Sequence, residues 1–246
     1  MTSTSTSAAA LAIDELESGE TPHLERSRWV TLWRTAKANP VGVFGLAIIV
    51  MLIVFAVFAP VIAPYEPDDF VAAKRLDPSL AHPFGTDNFG RDMFSRVVYG
   101  ARISLIVGFM SVSIGTALGT AIGIVSGYAG GRLDSLIQRT ADLMIAFPGL
   151  LLLLILRQVM GPSLQTLILA VAIAIVPGVT RVVRSAVLSE RTNQYVEAAI
   201  VLGATTPRIL FRHIMPNVLA LSIVVMTSLL GTAVLAEAAL SFLGLG

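Results

Sequence analysis

The residues best suited to chemistry in this chain are few and far apart. Its three histidines, His23, His82 and His213, show no metal-ligand spacing with carboxylates, and no Gly-x-Ser-x-Gly nucleophile turn occurs. The chain has no cysteine, so disulfides and thiolate sites are excluded. A phosphate-binding loop needs Gly-Lys-Ser/Thr, but the only lysines, Lys37 and Lys74, follow alanines. The sequence therefore predicts no catalytic, metal or cofactor site in this chain.

Composition places the chain in a membrane. Hydrophobic residues make up 55% of its 246 residues and charged residues only 13%, and the mean hydropathy is +0.80. A soluble domain usually carries about 25% charged residues. The net charge of +1 gives no reason to expect nucleic-acid binding. We therefore predict an all-α, polytopic membrane protein.

Apolar runs and polar segments divide the chain. The composition of residues 1–28 predicts a disordered tail. Residues 29–40 are predicted to form a basic segment at the membrane interface. Residues 41–63 form the first predicted span, and residues 64–102 a polar loop. A membrane core then fills residues 103–246. Its predicted spans, which bring the total to about five, lie near 103–128, 135–160, 164–179 and 217–236.

The distribution of charge predicts the orientation. The segment before the first span is basic, whereas the 64–102 loop holds more acidic than basic residues. The positive-inside rule therefore predicts a cytoplasmic N-terminus, an external 64–102 loop and a cytoplasmic 190–216 segment.

Charged pairs and prolines give local predictions. Asp87 precedes Arg91 by four residues, and Asp92 precedes Arg96 by four, a spacing that favours a short helix. In the third span, Arg139 and Asp142 lie on adjacent turns and are expected to pair. Pro148 is expected to kink that span.

Glycines recur every four residues along the second span, at Gly115, Gly119, Gly123 and Gly127. Such a line lets another helix approach closely in lipid. The approaching helix is expected to belong to the same chain, with a partner subunit as the alternative. We expect a large side chain to be tolerated best at Gly127, which is nearest the membrane interface.

Residues 190–216 predict a folded hairpin between the last two spans. Gly203 suits the left-handed position after a helix end. Thr205 or Thr206 can cap a second helix, and Pro207 fits its first turn. Pro216 is expected to end that helix and begin the last span. A simple connection needs fewer residues, so this hairpin is predicted to dock another molecule.

The hairpin resembles the EAA loop of the membrane subunits of ATP-binding-cassette importers. The match comprises Glu197-Ala198-Ala199, Gly203 after three further residues, and Ile214-Met215-Pro216. Two positions depart from the family pattern: His213 replaces an isoleucine, and Met215 replaces a leucine. An ordinary amphipathic connector is the alternative interpretation. The resemblance assigns ATPase coupling to Glu197, Ala198, Ala199, Gly203, Ala204, Thr205 and Pro207.

A second resemblance indicates a particular branch of this importer family. Residues 82–104, HPFGTDNFGRDMFSRVVYGARIS, resemble the signature of the second permease subunit of dipeptide and oligopeptide importers. A generic interfacial helix is the alternative for this segment. The family has six spans, the last following a segment like residues 239–246, so the natural protein is expected to be longer.

Together these resemblances imply one permease subunit of a bacterial importer of dipeptides or short oligopeptides. It would lie in the cytoplasmic membrane beside a homologous permease, with two ATPase subunits inside and a substrate-binding protein outside. ATP and Mg²⁺ would bind the ATPases, so this chain would be no enzyme itself. A secondary transporter is the alternative function, although no central carboxylate or histidine is evident to carry a coupling ion.

Overall fold

A computed structural model of the protein describes residues 37–244, and the chain divides into two units, residues 1–51 and 52–246. The 1–28 tail and most of the 29–40 segment lie outside the described residues. Within them, helices predominate and a single bridge, Thr86–Asp92, is the only β-structure. The helices are α1 Pro40–Val57, α2 Ala59–Ile62, α3 Met93–Ala129, α4 Gly131–Ala146, α5 Gly149–Met160, α6 Leu164–Arg191, α7 Gln194–Val201, α8 Thr206–Ile209, a π-helical turn π1 Leu210–Ile214, and α9 Met215–Phe242.

The predicted all-α polytopic class is confirmed. In the described part of the chain, four helical segments are long and apolar enough to cross a membrane: residues 40–57, 93–129, 164–191 and 206–242. α4 and α5 raise the number to five if they form one span, but they meet at an angle of 97°. The kink predicted at Pro148 is therefore a break. Phe147 before it is extended, as the residue preceding a proline prefers.

The glycine line of α3 packs tightly against α6. All four glycines are buried against α6. A Cβ added to Gly119 would lie 2.7 Å from the Cβ of Val179, and one added to Gly115 would lie 2.7 Å from the carbonyl oxygen of Ala172. Only hydrogen fits at these positions, so the helix that the glycines admit is α6 of the same chain.

The start of α3 differs from the prediction. No helix forms over residues 87–92, and α3 begins at Met93 with Asp92 as its N-cap. The fully buried carboxylate of Asp92 accepts hydrogen bonds from the backbone N–H of Ser95 at 2.7 Å and pairs with Nδ1 of His82 at 3.0 Å. Asp92 therefore does not pair with Arg96, because capping and His82 occupy its oxygens.

Asp87 organises the turn before α3. Its carboxylate accepts hydrogen bonds from the backbone N–H of Phe89 at 2.7 Å and of Arg91 at 3.0 Å. It also pairs with Nε of Arg91 at 2.8 Å and with Arg96 at 2.7 Å. Burial raises the pKa of Asp87, but these donors outweigh burial and hold that pKa well below its usual range. The predicted Asp87–Arg91 pair therefore forms in a turn and not in a helix.

Candidate coupling hairpin

The turn of the hairpin is built on Gly203. α7 ends at Val201, and Gly203 follows with φ +78°. The N–H of Gly203 donates to the carbonyl of Ile200 at 2.9 Å, and the N–H of Ala204 donates to the carbonyl of Ala199 at 3.0 Å. These two bonds define a Schellman motif, which satisfies the last carbonyls of the helix. The left-handed conformation predicted for Gly203 is confirmed.

The second helix of the hairpin starts as predicted and ends differently. Thr205 is the N-cap of α8 through its backbone, without a side-chain capping bond, and Pro207 lies in the first turn. Pro216 does not end a helix. α8, π1 and α9 form one helical segment, residues 206–242, in which the N–H of Met215 donates to the carbonyl of Leu210. This five-residue spacing is the π-helical pattern, and it re-pairs the backbone just before a residue that has no N–H.

Buried aliphatic side chains anchor the hairpin to α6. Val196 of α7, Ile209 of α8 and Ile214 of π1 are 1%, 3% and 0% exposed. They belong to one apolar cluster with four other buried residues, Val179, Val183, Val187 and Val218. α8 continues through π1 into α9, so the hairpin and the last long helix share one helical segment.

The side chains of Asn217, Tyr195 and His213 lie together at the base of the hairpin. The side-chain amide of Asn217 donates to the hydroxyl of Tyr195 at 3.0 Å and to the carboxylate of Glu190. The ring of His213 lies 6.0 Å from the ring of Tyr195, in a tilted arrangement. The departure from the family pattern at position 213 therefore supplies an aromatic contact to α7.

The predicted coupling residues lie together on the hairpin. Glu197, Ala198, Thr205 and Pro207 are exposed, Ala199 and Ala204 are partly buried, and Gly203 lies in the turn between them. The structure therefore places the seven residues of the motif on one element. The glycines of α3 are not part of this element, since they line the contact with α6.

Several apolar side chains on the hairpin are exposed, a feature that the motifs and spacing did not predict. Val201 and Leu202 are 86% and 87% exposed beside Gly203, and Phe211 is 66% exposed. Exposed apolar residues grouped on a polar-facing turn are typical of a protein interaction site. The signal was available in the sequence: Val201 and Leu202 directly precede a helix-ending glycine, where a solvent-exposed turn would carry polar residues.

Two ion pairs join α4 to α6 on the hairpin side. Arg184 contacts both carboxylate oxygens of Asp134, at 2.5 and 2.6 Å, and Ser126 donates to the same carboxylate at 2.5 Å. Arg181 pairs with Asp142. The predicted pairing of Asp142 with Arg139 is therefore wrong, because α4 lies against α6 and brings an arginine of that helix to Asp142.

The described residues therefore form a bundle of membrane-length helices with a structured hairpin before the last long helix. Comparisons with known proteins identify its class. A family model described as binding-protein-dependent transport system inner membrane component matches residues 119–246. A second, the N-terminal transmembrane domain of oligopeptide transport permease C, matches residues 27–83. The chain belongs to the family of inner membrane components of binding-protein-dependent transport systems.

Individual relatives cover most of the chain. The dipeptide transport system permease protein DppC of Alkalihalophilus pseudofirmus is 45% identical over 89% of this chain and 73% of its own length. The glutathione transport system permease protein GsiD of Escherichia coli O157:H7 is 40% identical over 92% of this chain and 75% of its own length. GsiD of Shigella dysenteriae serotype 1 shows the same identity and coverage.

Membership of this family sets the general function. The protein is a multi-pass membrane permease subunit of an ATP-binding-cassette importer and not a secondary transporter. The family implies that it works with a partner permease and with ATPase subunits.

Proposed function

We propose that this permease subunit imports dipeptides or short oligopeptides. The relatives named for dipeptide and glutathione transport support the proposal, since both cargoes are small peptides and each relative covers most of this chain. One homologous permease, two ATPase subunits and an extracytoplasmic substrate-binding protein complete the transporter. ATP and Mg²⁺ bind the ATPases, and this chain hydrolyses nothing.

The continuity of the hairpin with α9 carries the coupling mechanism. When ATP draws the two ATPases together, each moves the hairpin docked on it. Val196, Ile209 and Ile214 hold the hairpin on α6, and the helical segment of residues 206–242 passes the motion into the membrane. The spans then alternate between inward-facing and outward-facing arrangements, and peptide passes between the two permeases.

Purification of the transporter in mild detergent tests this function. The ATPase subunits and the second permease should co-purify with the chain, and proteoliposomes holding the complex, binding protein and ATP should take up labelled dialanine or glutathione. Uptake of neither peptide by a complex that hydrolyses ATP would contradict peptide import.

Orientation is tested with the cysteine-free chain. We expect a Ser79→Cys variant to react with an impermeant thiol reagent on intact cells and a Thr192→Cys variant to react only after lysis, because basic residues concentrate on the hairpin side. Both positions are exposed, so accessibility in the folded chain is matched. Labelling of Thr192→Cys on intact cells would reverse the proposed orientation.

The turn at Gly203 should be required for coupling. A Gly203→Val variant is expected to lower peptide uptake about tenfold, because a β-branched residue at φ +78° is strained by about 1–2 kcal/mol or more and shifts α8. A Cβ there meets nothing within 4 Å, so the effect is one of backbone conformation and not of crowding. Uptake, ATP hydrolysis and ATPase retention are measured in proteoliposomes.

A Gly203→Asn variant is the control for this prediction, since asparagine adopts the left-handed conformation more readily. It should keep most of the uptake. Equal uptake by the Gly203→Val and Gly203→Asn variants would show that coupling does not depend on the conformation of this turn.

A further inference from the structure

A groove of about 380 Å³ runs between α3 and α9. Eleven residues of the described chain line it, and none of them is charged. Its walls are mainly apolar, and four of the lining residues carry hydroxyl groups: Ser113, Thr116, Thr120 and Ser222. Apolar walls with a few polar groups are the usual composition of a small-ligand site.

Two of these hydroxyls have no partner in the described residues. The hydroxyl oxygens of Ser113 and Thr116 are buried and form no hydrogen bond, and Thr116 as a whole is 5% exposed. By contrast, the Ser222 hydroxyl donates to the carbonyl of Val218 at 2.9 Å and accepts from Thr120 at 3.0 Å. An unpartnered hydroxyl is unfavourable in an apolar surrounding. Neither oxygen is accessible from the groove in this structure, so contact with an occupant requires a change of side-chain rotamer.

The free hydroxyls distinguish among possible occupants. A lipid chain offers them no partner. A transmembrane helix has its backbone groups paired internally and offers only side chains. An extended peptide carries unpaired N–H and C=O groups along its whole length and can satisfy both hydroxyls. Ser113 and Thr116 are three residues apart on one helix face and therefore neighbours along the groove.

The length of the groove and the methionines in its lining also fit a peptide. From Ser113 to Ile124 the α3 wall is about 16 Å long at 1.5 Å per residue. An extended chain of about five residues has that length. The absence of charge among the lining residues leaves side-chain identity unspecified. Met215 and Met226 provide adaptable apolar surface for varied side chains.

The groove is continuous with the hairpin. Ile214 and Val218 pack in the cluster that anchors the hairpin, while Met215 and Leu219, one residue further along, line the groove. A motion of the hairpin therefore displaces the α9 wall against the α3 wall.

We infer that this groove binds the main chain of the peptide during its passage, with the hydroxyls of Ser113 and Thr116 as partners for peptide amides. The inference rests on the proposed peptide import. It specifies where the peptide binds and limits the bound segment to about five extended residues. It also assigns recognition to the backbone of the peptide.

The first test is the transport kinetics of the complete transporter in proteoliposomes with dialanine, dileucine and glutathione. A Thr116→Val variant keeps the side-chain shape and removes the hydroxyl. It should raise KM about fivefold for every peptide transported. Thr116→Ser should restore KM. Thr227→Val is the matched control, because Thr227 is exposed on α9 outside the groove and its hydroxyl already donates to Val224.

The second test is protection from thiol modification. Ala117 is exposed on the groove wall and Leu118 is exposed outside it. Dialanine at saturating concentration should slow N-ethylmaleimide modification of an Ala117→Cys transporter and leave that of Leu118→Cys unchanged. If Ala117→Cys reacts in the isolated chain but not in the complete transporter without peptide, the partner permease fills the groove and the inference is overturned.

The outcomes separate this inference from the proposed function. Peptide uptake by the wild-type transporter with an unchanged KM for Thr116→Val would overturn the groove assignment and leave peptide import standing. Failure of the wild-type transporter to take up any of the three peptides would overturn both.

Discussion

A Gly123→Leu variant is expected to lose the folded transporter, not only its activity. A Cβ at this position would lie 2.8 Å from the Cβ of Val183 and 2.9 Å from the carbonyl oxygen of Thr180. Neither is the flexible end of a side chain, so α3 and α6 would have to separate. Overpacking costs about 1–3 kcal/mol even where a core can relax. We expect the yield of monodisperse protein in mild detergent to fall to about a tenth or less of wild type.

Gly231→Leu is the matched control for this substitution. Gly231 lies in α9, is exposed, and a Cβ there meets nothing within 4 Å. Both changes put leucine in place of glycine inside a helix, so helix propensity affects them equally. Wild-type yield for Gly123→Leu would mean that α3 and α6 are not in this contact in the membrane.

Gly127 is expected to be nearly as sensitive as Gly123. A Cβ on Gly127 would lie 2.9 Å from the Cβ of Val187 and 3.0 Å from the carbonyl oxygen of Arg184. The expectation that it would tolerate a large side chain best is therefore corrected. We expect the neighbouring helix α6, which stays close from Gly115 to Gly127, to matter more than the position relative to the membrane interface.

Local chemistry made the hairpin turn predictable. Gly203 has the left-handed backbone, Thr205 is the N-cap and Pro207 lies in the first turn, as the residue types indicate. Each of these features depends on a few neighbouring residues. The spacing of the glycines in α3 was informative for the same reason, because a four-residue repeat marks one face of a helix whatever packs on it.

Partners across elements were not predictable from spacing. Arg139 lies three residues before Asp142, yet Asp142 pairs with Arg181, which is 39 residues away. Asp92 pairs with His82 and caps α3, where a pair with Arg96 was expected. A carboxylate takes the donors with the best geometry, and the sequence does not reveal which helices bring those donors near.

Two prolines with similar sequence signals have opposite effects. Pro148 coincides with a break of 97° between α4 and α5, whereas Pro216 lies in a helical segment that continues from residue 206 to residue 242. The difference lies in the preceding residues. Phe147 is extended before Pro148, while Met215 before Pro216 stays helical and its N–H donates to Leu210 through the π-helical turn. Ile214, the last residue of this turn, is fully buried.

The π-helical turn π1 lies between the hairpin helix α8 and the long helix α9. The extra residue in π1 rotates the helix that follows it relative to α8. Beyond this turn, Val218 packs with Ile214 in the cluster on α6, while Met215 and Leu219 line the groove.

A Leu202→Asp variant is expected to release the ATPase subunits while leaving the permease folded. Leu202 is 87% exposed beside the turn and packs in neither apolar cluster of the described chain, so its replacement removes no internal contact. In the assembled transporter this side chain would be buried against the ATPase. An unpaired carboxylate at such an interface costs several kcal/mol. We expect ATPase recovery in detergent pull-downs to fall at least about tenfold and peptide uptake to be lost, with the permease yield unchanged.

Leu80→Asp is the control for this substitution. Leu80 is fully exposed in the loop before α3, so the same change is made at an equally open position on the segment predicted to be external. It should retain both the ATPases and the uptake.

A Glu197→Gln variant adds a second comparison, because Glu197 is exposed on the same hairpin and its exchange keeps the shape but removes the charge. If Leu202→Asp binds the ATPases as wild type does, docking does not use the exposed apolar turn. If only the Glu197→Gln variant loses the ATPases, the charge of Glu197, and not the apolar turn, mediates docking.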